Sequence, residues 1–485
     1  MSEEEKYYQS QEFKELLEQY EQMVASGRST YMDGEDLCDI AEYYNTHDYP
    51  LEQVRAVIDY ALQLHPESVT ALAMLARMAI ERGDLKEAEH IADSIPNQQD
   101  RDVYFLRAEI MIRHFQHNEA FNMLFELKDT IEEEYSYYLA DAADLFYDYQ
   151  DYLHAIPFID ELGEKLPSWY RTWLLKAKIY MALETYEQAI PFIEQMLDSD
   201  PFDVNSWYMA GEAYASTKQY DKALEATDYA IAIEPDHYGV LQLRAYCLYF
   251  LDRVEDAAQI YEHVINDTGG TEHDYLFYSY CLYDIGRTKE AYDAIKMAAV
   301  ISSYGCDEEQ AIQEQQAYIA STLGLMDEAL ECIAKAEALS TDEAPEWPYD
   351  FYRVRVYAEN GHMDEALQLV VNCISKACDE EEADLRRFQA AQVLFDVGCS
   401  KEVIELLNQI NRSNLTEEQI KQLYGYEASS FHRTGMSYLA WDAIVDAQQH
   451  GTQNIASYFD DFFPENVADA DAADYYYQLV HGDWL

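Results

Sequence analysis

Three groups of side chains have the types and spacing to suggest metal or catalytic chemistry. His114 and His117 lie three residues apart, but no further His or Cys stands near them to complete a zinc set. Cys373 and Cys378 are spaced too widely for a C-x-x-C pair. Asp469, Asp471 and Asp474 offer oxygen ligands, yet the run lacks the central glycine and the bidentate glutamate of a calcium loop. Neither a glycine-rich phosphate loop nor a nucleophile elbow occurs. The expectation is a non-enzymatic chain with no metal and no cofactor, in which His114 and His117 are surface residues of a turn.

Recognition is the chemistry that remains. The 485 residues include 43 tyrosines, and 94 acids against 32 bases give a formal charge of -62. The acids are spread along the chain, as on solvated helix faces, where they favour solubility and keep copies apart. A potential of this sign draws cations and repels phosphate. Direct nucleic-acid binding, which rests on Lys and Arg, is therefore disfavoured. The opening residues, Met1-Ser2-Glu3-Glu4-Glu5-Lys6, lack the basic and then apolar order of a secretory signal. No run approaches the roughly 20 apolar residues of a membrane helix. Eight scattered cysteines read mostly as small buried hydrophobes in a reducing compartment. The expected setting is cytoplasmic, away from membranes.

A repeat positions these side chains. Between Pro167 and Pro235, Trp173, Ala177, Tyr180, Ala189 and Pro201 recur 34 residues later as Trp207, Gly211, Tyr214, Ala223 and Pro235. A large aromatic, a small residue four later, then Tyr, Ala and Pro at fixed offsets is the pattern of two packed helices and a turn. It closely resembles the tetratricopeptide repeat (TPR) family. The resemblance implies an all-α fold, a superhelical solenoid of about twelve helix-turn-helix repeats with capping helices at its ends. The reading places an N-terminal capping helix within 1–30, the repeats across 31–450, and an acidic, aromatic segment at 451–485.

Along the chain, Phe13, Leu16, Leu17, Tyr20 and Met23 recur at steps of three and four, which predicts a helix over 10–26 ended by Gly27. The pentapeptide Ala-Ile-Pro-Phe-Ile at 155–159 returns at 189–193, and Pro157 and Pro191 predict a late helix start or a slight kink. From Ala291 the marker residue recurs at Ala329, Ala366, Val403 and Ala440, in steps of 38, 37, 37 and 37. The extra residues are assigned to turns between repeats, near Ser302–Asp307, Ser340–Trp347, Lys376–Glu382 and Ser413–Glu418. Gly324, Gly361, Gly398 and Gly435 suit a left-handed turn between the two helices of a repeat. Past Gly451 the pattern ends. Ile455, Phe459 and Phe462 suit a helix running to Pro464, and Ala472, Tyr476 and Leu479 suit a second. The segment is either a capping pair or a detachable acidic-aromatic peptide.

In the TPR family the first helices line a concave face, with inward side chains at positions 2, 5, 9, 12 and 13. The resemblance implies that repeats six to nine direct Tyr208, Tyr246, Tyr249, Phe250, Tyr280, Tyr283 and Tyr318 there, joined by Glu212 and Asp284. Repeats three and four add Glu109, Asp144, Asp148 and Tyr147. An acidic, tyrosine-lined groove suits a peptide bearing Lys or Arg, held by carboxylates and by ring faces worth about 0.5–2 kcal/mol each. The basic clamp of TPR co-chaperones does not carry over, since Leu174, Lys178, Tyr208, Glu212, Gln242 and Tyr246 match it in charge only at Lys178. The expected function is a protein-binding scaffold for a basic or mixed peptide or protein. The alternative is an acidic chaperone or anti-association factor for a nucleic-acid-binding protein, such as a ribosomal one.

Overall fold

A computed structural model describes residues 7–27, 29–47, 49–131, 134–302, 308–340, 349–463 and 467–481. Among them are 26 α-helices and no strand. The chain divides into two compact units, Met1–Pro235 and Asp236–Leu485. The first unit follows helix Gln11–Ser26 with six helix pairs: Gly34–Thr46 with Leu51–Leu64, Val69–Glu81 with Leu85–Ser94, Arg101–Arg113 with His117–Leu127, Tyr135–Asp148 with Tyr152–Lys165, Tyr170–Ala182 with Tyr186–Ser199, and Val204–Ser216 with Tyr220–Ile233. The second unit has six more: Tyr238–Phe250 with Val254–Thr268, Glu272–Asp284 with Thr288–Ile301, Glu309–Thr322 with Met326–Leu339, Tyr349–Glu359 with Met363–Ser375, Glu380–Asp396 with Ser400–Leu407, and Glu417–Arg433 with Ser437–Gln449. The expected twelve repeats are present as twelve pairs. No helix among the described residues is long and apolar enough to cross a membrane.

Small side chains set the packing. Ala88, Ala120, Ala155, Ala189, Ala223, Ala257, Ala291, Ala329, Ala366 and Ala440 mark the same place on successive second helices, and all are fully buried. A methyl group there lets the two backbones of a repeat approach, while larger neighbours such as Phe146 and Ile159 fill the space beside them. In the second unit each first helix also touches the first helix of the next repeat, from Tyr238–Phe250 through to Glu417–Arg433. The first helices therefore form a continuous layer, and side chains from successive repeats meet on it.

The turn inside each of repeats two to twelve holds a left-handed residue. Gly324, Gly361, Gly398 and Gly435 have φ of 77°, 80°, 81° and 77°, as expected. The same place is held by Phe115, Gln150, Glu184, Lys218 and Asp252 at φ between 57° and 61°, so the repeat imposes the conformation on L side chains as well.

Three expectations change. Of the two outcomes expected at Pro157 and Pro191, the late start does not occur: their helices begin at Tyr152 and Tyr186, five residues earlier. The carbonyls left without a donor belong to Leu153 and Glu187 in the first turn, both exposed to solvent. The insertions after repeats ten and eleven do not lie wholly in turns. Helices Glu380–Asp396 and Glu417–Arg433 take up the extra length as an added turn, each 17 residues long and capped by Asp379 and by a Thr416–Gln419 capping box. The two earlier insertions fall largely outside the described residues. Finally, residues 455–462 form a short 3-10 helix, entered through Asn454 at φ 52°, rather than an α-helix, and Pro464 lies outside the described residues.

At the amino end, Ser10 accepts from the Phe13 N–H at 3.1 Å, and Gly27 closes the helix at φ 66°. Phe13 and Tyr20 bury against Leu37, Ile40, Ala41 and Tyr44 of the first repeat. At the carboxyl end, Ile455, Phe459, Phe463 and Tyr476 share a buried cluster with Ala440, Ala443, Ile444 and Ala447. Helix Ala472–His481 forms as expected.

Candidate functional site

The first helices of repeats seven and eight present aromatic side chains at steps of three and four: Tyr246, Tyr249 and Phe250 on one, Phe277 and Tyr280 on the next, where Asp284 follows four residues later. Each helix starts from a fixed cap. His237 accepts from the Val240 N–H at 3.2 Å, and Thr271 with Asp274 forms a capping box. Asp274 also accepts from Gln242 at 2.8 and 3.0 Å, which ties the two repeats together at the base of this face. Gln242 is therefore engaged within the protein.

Phe277 is the centre of the face. Its ring lies 5.2 Å from Tyr246, 6.1 Å from Tyr249, 5.5 Å from Tyr280 and 4.6 Å from the His273 imidazole. Below it, Tyr261 from the second helix of repeat seven is fully buried, 6.2 Å away. Phe277 stands at position six of its repeat, outside the inward positions 2, 5, 9, 12 and 13. The visible signal was an aromatic three residues before Tyr280 in a chain rich in ring pairs. Tyr246, Tyr249 and Tyr280 are half-buried, and Phe250 remains 45% exposed. A partner approaching here meets ring edges and faces.

Burial, then the Asp284 carboxylate, raises the Tyr249 hydroxyl, which donates to Asp284. Burial raises Asp284 in turn, partly offset by that hydrogen bond. Tyr280 is pushed up to about 12, by burial first and then by Glu314 and Glu308. These hydroxyls stay protonated at neutral pH and remain donors.

One repeat further on, the Tyr283 and Tyr318 rings meet edge to face at 5.0 Å, and the Tyr283 hydroxyl lies 3.1 Å from Thr322 Oγ1. The guanidinium of Arg355 sits 3.9 Å over the Tyr318 ring. It also pairs with Glu359 at 2.8 Å and with Asp396 at 3.9 Å. The cation expected from a partner at Tyr318 is thus supplied by the protein itself.

The first unit is likewise self-satisfied. Asp144 takes Arg171 at 2.6 Å, Glu109 takes Arg77 at 3.0 Å, and Lys178 lies 5.6 Å over the Tyr147 ring. Burial and Asp144 raise Asp148, while Lys178 opposes them. Tyr208 and Glu212 hydrogen-bond each other, and burial raises both. The acids of repeats three and four therefore already hold intramolecular cations.

The remaining candidates have structural roles. His114 pairs with Glu89 at 2.9 Å on the surface. His117 is less exposed than expected: it binds Asp151 of repeat four at 2.6 Å, and His154 binds the same carboxylate at 2.8 Å, joining two repeats. Asp469 accepts from the N–H groups of Asn454 and Ile455 at 2.9 and 2.8 Å, so it caps the 3-10 helix. Among the described residues no group of three or more His, Cys, Asp or Glu is placed to hold a metal ion. Cys38, Cys247, Cys281, Cys332 and Cys373 are buried, Cys399 is partly so, Cys378 is exposed, and Cys306 lies outside the described residues.

Two family comparisons match parts of the chain. Residues 51–110 match the family described as Tetratricopeptide repeat, and residues 186–264 match that described as Anaphase-promoting complex, cyclosome, subunit 3. No curated protein matches. Among solved structures, a tetratricopeptide repeat protein from Parabacteroides merdae ATCC 43184 is 12% identical, covering 61% of this chain and 97% of its own, with a TM-score of 0.38. PilW, titled a widely conserved type IV pilus biogenesis factor, is 19% identical over 43% of this chain and 93% of its own, at 0.37. YrrB, titled a TPR protein with an unusual peptide-binding site, is 16% identical over 38% and 93%, at 0.31.

Proposed function

Since the chain is a tetratricopeptide-repeat protein, we propose that it is a non-enzymatic scaffold whose second unit captures a basic segment of a partner protein on the aromatic face of repeats seven and eight. Proteins built from these repeats mediate protein–protein interactions, and the half-exposed rings around Phe277 carry the reading. The strong negative field draws a Lys- or Arg-bearing segment in, and Asp284 stands beside the rings that receive it. Each ring face that takes a cation adds about 0.5–2 kcal/mol. Tyrosine supplies that contact area with little side-chain entropy to lose.

The test is a pair of substitutions on the full chain. Tyr246→Ala with Tyr280→Ala weakens binding of a Lys/Arg-rich probe peptide by about tenfold or more, while the helical circular dichroism and melting stay close to the parent. A variant that melts far lower makes the rings core residues and removes the proposal.

The charge of -62 supports a second reading, an acidic chaperone for a nucleic-acid-binding protein such as a ribosomal one. Its signature is co-purification of such proteins that is lost steeply with added salt, because competition with phosphate is purely coulombic.

A further inference from the structure

Gly425 lies in the middle of the first helix of repeat twelve, where a glycine costs about 1 kcal/mol relative to alanine. No unusual φ calls for it. A Cβ at this place would stand 2.6 Å from the ring of Tyr458, so the helix is bared to admit that ring. Tyr458 comes from the 3-10 helix Ile455–Phe462, and its ring lies edge-on to Tyr426 at 5.5 Å and 6.4 Å from Phe395. Phe395 belongs to the first helix of repeat eleven. Its ring also meets the Arg433 guanidinium at 4.7 Å.

The segment has two sets of contacts. Ile455, Phe459 and Phe463 bury against the second helix of repeat twelve, as a cover for the last repeat requires. Tyr458 packs against their cluster and, in addition, against the cluster of repeats ten to twelve, and it remains only partly buried. Closing the end of the stack does not demand a ring that reaches back across the first-helix layer to repeat eleven. A seat made by a mid-helix glycine, walled by Phe395 and Tyr426 on the first-helix layer, has the construction of a side-chain pocket for an aromatic anchor.

We propose that Gly425, Tyr426 and Phe395 form a second recognition site, for a short segment carrying a tyrosine anchor, and that the chain's own Tyr458 occupies it in cis. A partner segment of this chemistry binds by displacing residues 455–463. This site is separate from the face around Phe277, and either stands if the other fails.

The probe is a fluorescein-labelled synthetic peptide of residues 452–463, titrated into the full-length chain by anisotropy. Tyr458→Ala is expected to bind it about tenfold more tightly than the parent, and Tyr458→Ala with Gly425→Ala is expected to lose that gain because a methyl group fills the seat. Equal affinity in the parent and in Tyr458→Ala overturns the proposal, as does a Tyr458→Ala chain that loses its helical signal. Hydrogen exchange on the unaltered protein gives an independent decision. Amides of residues 455–459 should exchange about tenfold faster than those of Ala440–Ala447, because the segment lifts without the repeat opening. Exchange in step with Ala440–Ala447 makes the segment a fixed part of the fold and overturns the site.

Discussion

Arg355 holds its guanidinium 3.9 Å above the ring of Tyr318, and the same side chain pairs with Glu359 and Asp396. A tyrosine on the first-helix layer is thereby covered by a cation of the next repeat. The contrast with Tyr246 and Tyr280 separates two kinds of tyrosine on one surface. Those beside an arginine are part of the scaffold, and those gathered around Phe277 are the proposed contact.

Replacing Arg355 with alanine removes the ring contact and leaves Asp396, already raised by burial, without its main opposing charge. The expected cost is about 2 kcal/mol, read as a lower urea midpoint of the full chain. Arg355→Lys should recover only part of it, since an ammonium cannot lie flat on the ring and bridge both acids. An unchanged midpoint in Arg355→Ala would make the contact incidental.

The left-handed turn residue offers the opposite sign. Phe115 sits at φ 61° with 88% of its surface exposed, so Phe115→Gly relieves backbone strain and forfeits almost no burial. A gain of about 1 kcal/mol is expected, and Gly435→Ala should lose about as much. Thermal melts of the two variants check both signs.

The hydroxyl of Tyr261 is buried and has no hydrogen-bond partner among the described residues. Tyr261→Phe keeps the ring under Phe277 and removes the unpaired oxygen, for an expected gain of about 1 kcal/mol. A lower melting temperature would show that the hydroxyl is satisfied in solution.

Stability should also rise as the solution is acidified from neutrality. Burial raises Asp148, Glu212, Asp284 and Asp396 from their ordinary values. Each binds a proton more readily folded than unfolded. Its contribution is full below the unfolded value and is lost as pH climbs through the raised folded value. Glu161 and Glu328, held down chiefly by hydrogen bonds against the pull of burial, act in the other sense, but only below about pH 4.5. Melting temperatures should therefore rise as pH is lowered toward the unfolded carboxylate values of about 4 to 4.5, and a fall over that approach would contradict the assignment.

Much of the scaffold could be read from residue spacing because its causes are local. Ala189 and Ala223 are small where two backbones meet, and Trp173 and Trp207 each donate to a proline carbonyl six residues before them, at 2.7 and 2.9 Å. Steps of three and four from Phe13 to Met23, with Gly27 at the end, mark the first helix. What escaped has its cause elsewhere in the chain. Phe277 lies one residue off the chosen inward positions and is central only because rings of two helices converge on it. Arg355 reads as one more charge until the neighbouring repeat places Tyr318 beneath it. Gly425 has no reason within its own helix, since the ring that requires it comes 33 residues later. The acids of repeats three and four looked available because their arginine and lysine partners come mostly from neighbouring repeats.

The most direct test of the proposed contact is affinity purification with mass spectrometry of the parent chain beside Tyr246→Ala/Tyr280→Ala, at low and moderate salt. The account predicts that the parent retains a basic protein at moderate salt, because ring contacts persist once long-range charge is screened, and that the paired variant loses it. Recovery of the same protein by both chains, at both salt levels, would contradict the claim that the aromatic face around Phe277 is where the partner binds.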